Sequence, residues 1–96
     1  MPSLIVLKGK TAQKEYQLSS KLTLIGKSSL ATLQLRGWLA PQAAAQITQR
    51  QEDYYLSTIS RRGALINGGR VTSATRLKDG DLIEVAGISL KFTFSD

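Results

Sequence analysis

The chain has 96 residues, a formal net charge of +6 from 13 Lys and Arg against 7 Asp and Glu, and a hydrophobic fraction of 42%. This length accommodates one hydrophobic core, and no apolar run is long enough to cross a bilayer as a helix. Without cysteine or histidine the chain lacks disulfides, thiolate metal ligands and the commonest general base, so we expect a non-enzymatic domain with no metal and no cofactor.

Short strand-like segments recur about every 8–12 residues, a spacing typical of a β-sandwich or a barrel. Five such segments precede the last third of the chain, at residues 4–7, 15–19, 22–25, 31–35 and 54–59. We expect the first of them, an apolar run, to be a buried strand. In the fourth segment, the alternation of apolar and polar residues places Leu33 and Leu35 toward the core and Thr32 and Gln34 toward water.

The stretch that follows the fourth segment is apolar and rich in small residues. Trp38 and Leu39 form either an exposed protein-contact anchor, because Trp is enriched at interaction hot spots, or a cap on the core. Pro41 begins a helix-prone run that is too short to be a stable helix alone. We expect a loop here that leads into a strand at residues 45–48, with a single helical turn as the alternative.

Turn signals dominate the last third of the chain. Asn67-Gly68, flanked by apolar residues, predicts a type I′ hairpin, because both central residues of that turn need a positive φ. A second turn is predicted at the Asp-Gly-Asp sequence of residues 79–81. Its acidic residues, together with Glu84, are interpreted as turn chemistry, because their spacing does not match a calcium loop. Residues 88–94 then alternate strictly between apolar and polar types and predict the closing strand.

Four short motifs occur in a recognisable order. They are Gly26-Lys27 after a strand, Pro41-Gln-Ala-Ala-Ala-Gln-Ile47, Ser60-Arg-Arg-Gly63 followed by Asn67-Gly68, and Leu77-Lys-Asp-Gly-Asp-Leu-Ile83. Over residues 4–94 the chain thereby resembles a forkhead-associated (FHA) domain, whose patterns are Gly-Arg, Ser-x-x-His-Ala-x-Ile, Ser-x-Asn-Gly and Leu-x-x-Gly-Asp-x-Ile. The resemblance implies an all-β fold, a single antiparallel β-sandwich of about eleven short strands, with its binding loops gathered at one end.

FHA domains read phosphothreonine with an arginine, a serine hydroxyl, backbone N–H groups and an asparagine that fixes the peptide backbone. Lys27 stands at the arginine position, where it keeps the charge and loses the planar fork. Pro41 stands at the serine position and provides neither a hydroxyl nor a backbone donor. Ala44 replaces the histidine that braces the loops, and Arg62 replaces the asparagine and cannot accept a hydrogen bond. The family's usual mechanism therefore cannot operate unchanged.

The resemblance still places cations and hydroxyls on neighbouring loops, where they could form an altered anion site. The candidate phosphate-binding or anion-binding residues are Lys27, Ser28, Ser29, Ser60, Arg61, Arg62 and Gly63. The alternative interpretation is that these residues are solvated loop tips without a ligand.

We expect a cytoplasmic, non-catalytic interaction module whose partner is a protein or peptide, phosphorylated or not, with altered or lost phosphothreonine recognition. Residues 1–96 are expected to be one domain, which either stands alone or forms the N-terminal part of a longer protein. The alternative is binding of nucleic acid or another polyanion, because residues 1–50 carry seven bases and one acid. A membrane partner is not expected.

Overall fold

The computed structural model describes residues 2–11, 13–37 and 40–94. Strands and connecting segments make up these ranges, and they contain no helix that could span a membrane. The strands are β1 Ser3–Lys8, β2 Glu15–Gln17, β3 Leu22–Gly26, β4 Leu33–Gln34, β5 Ala45–Arg50, β6 Asp53–Thr58, β7 Ala64–Ile66, β8 Gly69–Arg70, β9 Thr75–Arg76, β10 Leu82–Val85 and β11 Ile88–Thr93. The all-β class and the expected number of strands are confirmed.

Two sheets form a sandwich around one core. The six-stranded sheet has the order β2-β1-β11-β10-β7-β8, and the five-stranded sheet has the order β4-β3-β5-β6-β9. Neighbouring strands pair in the antiparallel sense, as expected, with one exception. Strand β4 is parallel to β3, a pairing that the alternation of the sequence did not indicate.

The core takes alternate residues from the strands of both sheets. Fully buried side chains include Leu4, Ile25, Leu33, Ile47, Leu56, Ile83, Leu90 and Phe92. Thr32 and Gln34, on either side of Leu33, are exposed, as the alternation predicted. Burial of this apolar surface is the main favourable term for the fold.

The expectation of a continuously buried first strand is wrong at its end. Leu4 is fully buried, whereas Leu7 is 55% exposed. The register of β1 against β11 shifts between Val6 and Lys8. A bulge of this kind re-aims the side chains that follow it, so the apolar run does not stay on the core side.

Two tight hairpins join strands of the six-stranded sheet. Asn67 and Gly68 have φ angles of 52° and 83°, which confirms the predicted turn between β7 and β8. Ala86 and Gly87 have φ angles of 49° and 83° and connect β10 to β11. The sequence did not indicate this second hairpin, because alanine disfavours a positive φ.

The Asn67 turn is also bound to the neighbouring turn by its side chain. Asn67 Nδ2 donates to Asp81 Oδ1 at 2.9 Å, and the Leu82 backbone N–H donates to Asn67 Oδ1 at 2.9 Å. The other carboxylate oxygen of the buried Asp81 accepts from the Lys78 backbone N–H at 2.8 Å. The carboxylate of Asp79 accepts from the Phe94 backbone N–H at 2.8 Å. The Asp81 bond to Lys78 confirms Asp81 as a turn residue, and the Asp79 carboxylate bonds the end of β11 instead. The interpretation is wrong for Glu84, which lies exposed within β10.

Two substitutions of Asn67 separate its side-chain bonds from its backbone conformation. Asn67→Gly keeps the positive φ and removes both bonds, so we expect the free energy of unfolding to fall by about 1–3 kcal/mol. Asn67→Ala should cost about 1 kcal/mol more, because alanine is strained at this φ. Urea unfolding followed by circular dichroism measures both changes. Thr72→Ala, at an exposed position nearby, is the control, and an Asn67→Gly protein as stable as the parent would contradict the expectation.

Candidate functional site

Three loops meet at one end of the sandwich, at the end of β3, the start of β5 and the end of β6. The Lys27 backbone N–H donates to the Pro41 carbonyl at 2.8 Å, and the Ser28 N–H donates to the Gln42 carbonyl at 3.1 Å. The Ala44 carbonyl accepts from the backbone N–H groups of Ile59 and Ser60, at 2.9 and 3.0 Å. The loop of residues 41–44 thus joins the other two through its backbone.

Gly26 makes this junction sterically feasible. A Cβ atom at Gly26 would lie 2.1 Å from the Gln42 carbonyl oxygen and 2.9 Å from the Ala43 Cα, so no side chain fits between the two backbones. The Ala44 N–H donates to the Ile25 carbonyl at 2.8 Å on the same junction. Residues 41–44 form a loop without a helical turn, and β5 begins at Ala45, which confirms the loop interpretation.

Ala44 occupies the position where the family pattern has histidine. Its side chain is 1% exposed and belongs to the hydrophobic core. The side chain of alanine has no polar atom that could bond a neighbouring loop. Here the backbone carbonyl of the same residue makes the connection to residues 59 and 60, so the loops stay joined without an imidazole.

The loop after β3 is a compact turn built around Ser28. The Leu30 N–H donates to Ser28 Oγ at 3.1 Å, and the Ala31 N–H donates to the Ser28 carbonyl at 3.0 Å. The Gln34 side chain donates to the Lys27 carbonyl at 3.1 Å. Lys27 and Ser28 are half-buried, and Ser29 is exposed.

The loop after β6 repeats this construction with Ser60. Ser60 Oγ accepts from the Arg62 backbone N–H at 3.2 Å, and the Ser60 carbonyl accepts from the Gly63 N–H at 3.0 Å. Arg61 and Arg62 at the tip of the turn are exposed. Within the described ranges, the side-chain hydroxyls of Ser28 and Ser60 accept hydrogen bonds and donate none, so each hydroxyl retains a proton to donate.

A further cation, Arg70, lies beside this second loop. A Cβ atom at Gly63, which has a φ of 71°, would be 3.6 Å from Arg70 Nη2. Arg70 was not among the residues predicted from the sequence, although the sequence carries a signal for its position. A two-residue turn at Asn67-Gly68 puts Arg70 opposite Leu65, on the strand that leaves the loop.

The structure therefore joins the loop of Lys27–Ser29 to the loop of Ser60–Gly63 through residues 41–44. The candidate contact residues Trp38 and Leu39 lie outside the described residues. Among the residues that the structure describes, no group of three or more His, Cys, Asp or Glu side chains is arranged to hold a metal ion. On the two joined loops, Ser29, Arg61 and Arg62 are exposed, and Lys27, Ser28 and Ser60 are half-buried.

Two adjacent tyrosines at the start of β6 bear on the nucleic-acid alternative, because exposed aromatic rings can stack on bases. Tyr54 is buried and contacts the Phe92 ring at a centroid distance of 5.9 Å, so only Tyr55 faces outward. The guanidinium of Arg50 lies over the Tyr55 ring at 5.4 Å from its centroid. One face of this ring is therefore covered by the protein itself and is not a free platform for base stacking.

Comparison with known proteins identifies the fold and the family. The family model described as "FHA domain" matches residues 23–86. No curated protein matches the chain. The FHA domain of CT664 from Chlamydia trachomatis is 15% identical and has a TM-score of 0.86, over 99% of this chain and 98% of that chain. The loop junction described above lies inside the matched residues.

Two further structural neighbours were solved with peptides bound. The N-terminal FHA domain of Rad53p from S. cerevisiae, in complex with a phosphothreonine peptide, is 19% identical with a TM-score of 0.82, over 99% of this chain and 94% of that chain. EmbR from Mycobacterium tuberculosis, in complex with a low affinity phosphopeptide, is 23% identical with a TM-score of 0.88. That match covers 98% of this chain and 24% of EmbR.

Gly26→Ala tests the loop junction directly. The added Cβ overlaps the Gln42 carbonyl, so the two loops must separate, and we expect the free energy of unfolding to fall by about 1–3 kcal/mol or more. The amide resonances of Lys27, Ser28 and Ser60 should shift in the folded fraction. Urea unfolding and amide NMR spectra measure these effects.

Gly69→Ala is the matched control. A Cβ atom at Gly69 would lie 3.5 Å from the Ile66 carbonyl oxygen, which is an ordinary contact. The Gly69→Ala substitution should change the free energy of unfolding by less than about 1 kcal/mol, and it should leave the amide resonances of Lys27, Ser28 and Ser60 unshifted. Equal losses of stability in the two variants would show that the junction at Gly26 has no special role.

Proposed function

Because the chain belongs to the FHA domain family, we propose that it is a non-catalytic protein-interaction module that binds phosphorylated segments of a partner protein with an altered set of loop residues. The observation that carries this proposal is the backbone junction at residues 41–44, which joins the loop bearing Lys27 to the loop bearing Arg61 and Arg62. The proposed partner class draws support from the peptide complexes of Rad53p and EmbR.

The chemistry of the two loops suits a phosphate. A phosphothreonine carries about −1.5 to −2 charges and three strong acceptor oxygens. Lys27, Arg61 and Arg62 supply cations, and the hydroxyls of Ser28 and Ser60 retain a proton to donate. Charge-assisted bonds of this type are roughly twice as strong as neutral ones.

The altered residues change the selectivity of the proposed site. Lysine presents a point charge, so Lys27 holds a phosphate with less orientational constraint than an arginine fork does. Pro41 contributes no donor, although its carbonyl keeps the Lys27 N–H in place. Arg62 cannot accept a hydrogen bond from a peptide N–H. We therefore expect binding that depends on the phosphate charge and discriminates weakly among the flanking peptide residues.

Titration of the labelled domain with a degenerate phosphothreonine peptide pool, followed by amide NMR, tests this function. We expect shifts at residues 27–29 and 60–63 that the unphosphorylated pool does not produce and that persist at moderate salt. Lys27→Ala should weaken binding about tenfold, because it removes one charge-assisted interaction with the phosphate.

Lys21→Ala is the matched control, because Lys21 precedes the opposite end of β3 and is exposed. It removes the same charge and should leave the affinity for phosphopeptide nearly unchanged. Weak shifts that spread over many lysines and vanish with salt would instead support the polyanion alternative. Identical shifts with phosphorylated and unphosphorylated pools would refute phosphate recognition.

A further inference from the structure

A second cationic surface lies on the outer face of the six-stranded sheet. Five residues that lie directly opposite one another on neighbouring strands form one row across this sheet. The row runs from Lys8 on β1 through Ser89, Glu84 and Leu65 to Arg70 on β8. The buried neighbours along these strands, such as Leu90, face the core, so the row faces outward. Directly opposed residues on adjacent strands lie close enough to act on one ligand together.

This row forms the floor of an open groove of about 450 Å³. The groove runs from the edge of the Ser60–Gly63 loop, where Arg62 and Gly63 line it, to Lys8. Its charged lining residues are three cations, Lys8, Arg62 and Arg70, and one carboxylate, Glu84. Leu65 is half-buried between its register partners Glu84 and Arg70 and adds an apolar contact.

Arg70 is positioned for a ligand at the loop end of the groove. Its guanidinium lies beside Gly63, and its side chain is exposed. Arg62, on the same loop, lines the same end of the groove. Two guanidiniums at one end of a groove match carboxylates well, because each offers a planar fork to a carboxylate.

We propose that this groove, the outer groove, docks an acidic, extended segment of the partner protein, with carboxylates at the Arg70 end and at the Lys8 end. Five strands spaced about 4.8 Å apart make the row roughly 19 Å long, which about six residues of extended peptide span. Glu84 in the middle of the row repels a third carboxylate, so the central residues of the segment are neutral or basic. The proposal rests on the proposed function only in taking the partner to be a protein.

An unphosphorylated peptide, Asp-Glu-Gly-Ser-Gly-Ser-Glu-Asp, is the probe, and its Asn and Gln counterpart is the neutral control. We expect the acidic peptide, and not its neutral counterpart, to shift the amide resonances of Lys8, Gly63, Leu65, Arg70 and Glu84. Arg70→Glu should weaken this binding at least about tenfold, because a cation becomes a repelling carboxylate. Arg76→Glu on β9 of the other sheet makes the same change at an exposed site and should have little effect.

Glu84→Gln provides a gain of binding that misfolding cannot produce. It removes the repelling charge at the centre of the row, so affinity for the acidic peptide should rise about two- to fivefold. Loss of affinity in this variant would overturn the proposal. So would shifts confined to residues 27–29, shifts spread evenly over the lysines, or tighter binding of a short oligothymidylate in the groove.

The two proposals fail in different experiments. Absence of acid-dependent shifts in the outer groove overturns the docking of the acidic segment, whatever the phosphothreonine pool does. Absence of phosphate-dependent shifts at residues 27–29 and 60–63 overturns the proposed function, whatever the acidic peptide does.

Discussion

The backbone contact between Gly26 and residues 42–43 is the constraint on which the candidate site depends. Two chain segments approach closely enough there that a single methyl group would overlap the Gln42 carbonyl. That approach allows residues 41–44 to bond the loop after β3 on one side and the loop after β6 on the other. The site is therefore held by backbone atoms, whose positions tolerate many changes of side chain.

Because backbone bonds join these loops, their arrangement does not depend on the side chains at most of the positions involved. The backbone bonds of Pro41, Gln42 and Ala44 involve carbonyl and N–H groups that any compatible residue supplies. Ser28 and Ser60 direct their oxygen lone pairs to backbone N–H groups and so shape their own loops. Within the described ranges, the exposed side chains of Arg61 and Arg62 make no hydrogen bond, so we expect substitutions there to leave the loop backbone in place.

The fold was largely predictable from the sequence, because its signals are local. Alternation identified the buried face of β4 and β11, and the positive φ required at Asn67 and Gly68 identified a hairpin. The parallel pairing of β4, the bulge after Val6 and the hairpin at Ala86 depend on partner strands and on tolerated strain, which a linear pattern does not encode. The outer groove was missed for the same reason, because Lys8, Glu84 and Arg70 are distant in sequence and become neighbours only through strand register.

In the proposed function, the loop backbone is intact and only its side chains depart from the phosphothreonine-reading pattern. The most direct measurement is the affinity of a phosphothreonine peptide for the triple variant Lys27→Arg, Pro41→Ser, Arg62→Asn, which restores the family's residue types. We expect the affinity for the phosphothreonine peptide to rise at least about tenfold over the parent, and the affinity for the unphosphorylated peptide to stay unchanged. A folded variant with no phosphate-dependent gain would mean that the loops do not present these positions to a common ligand.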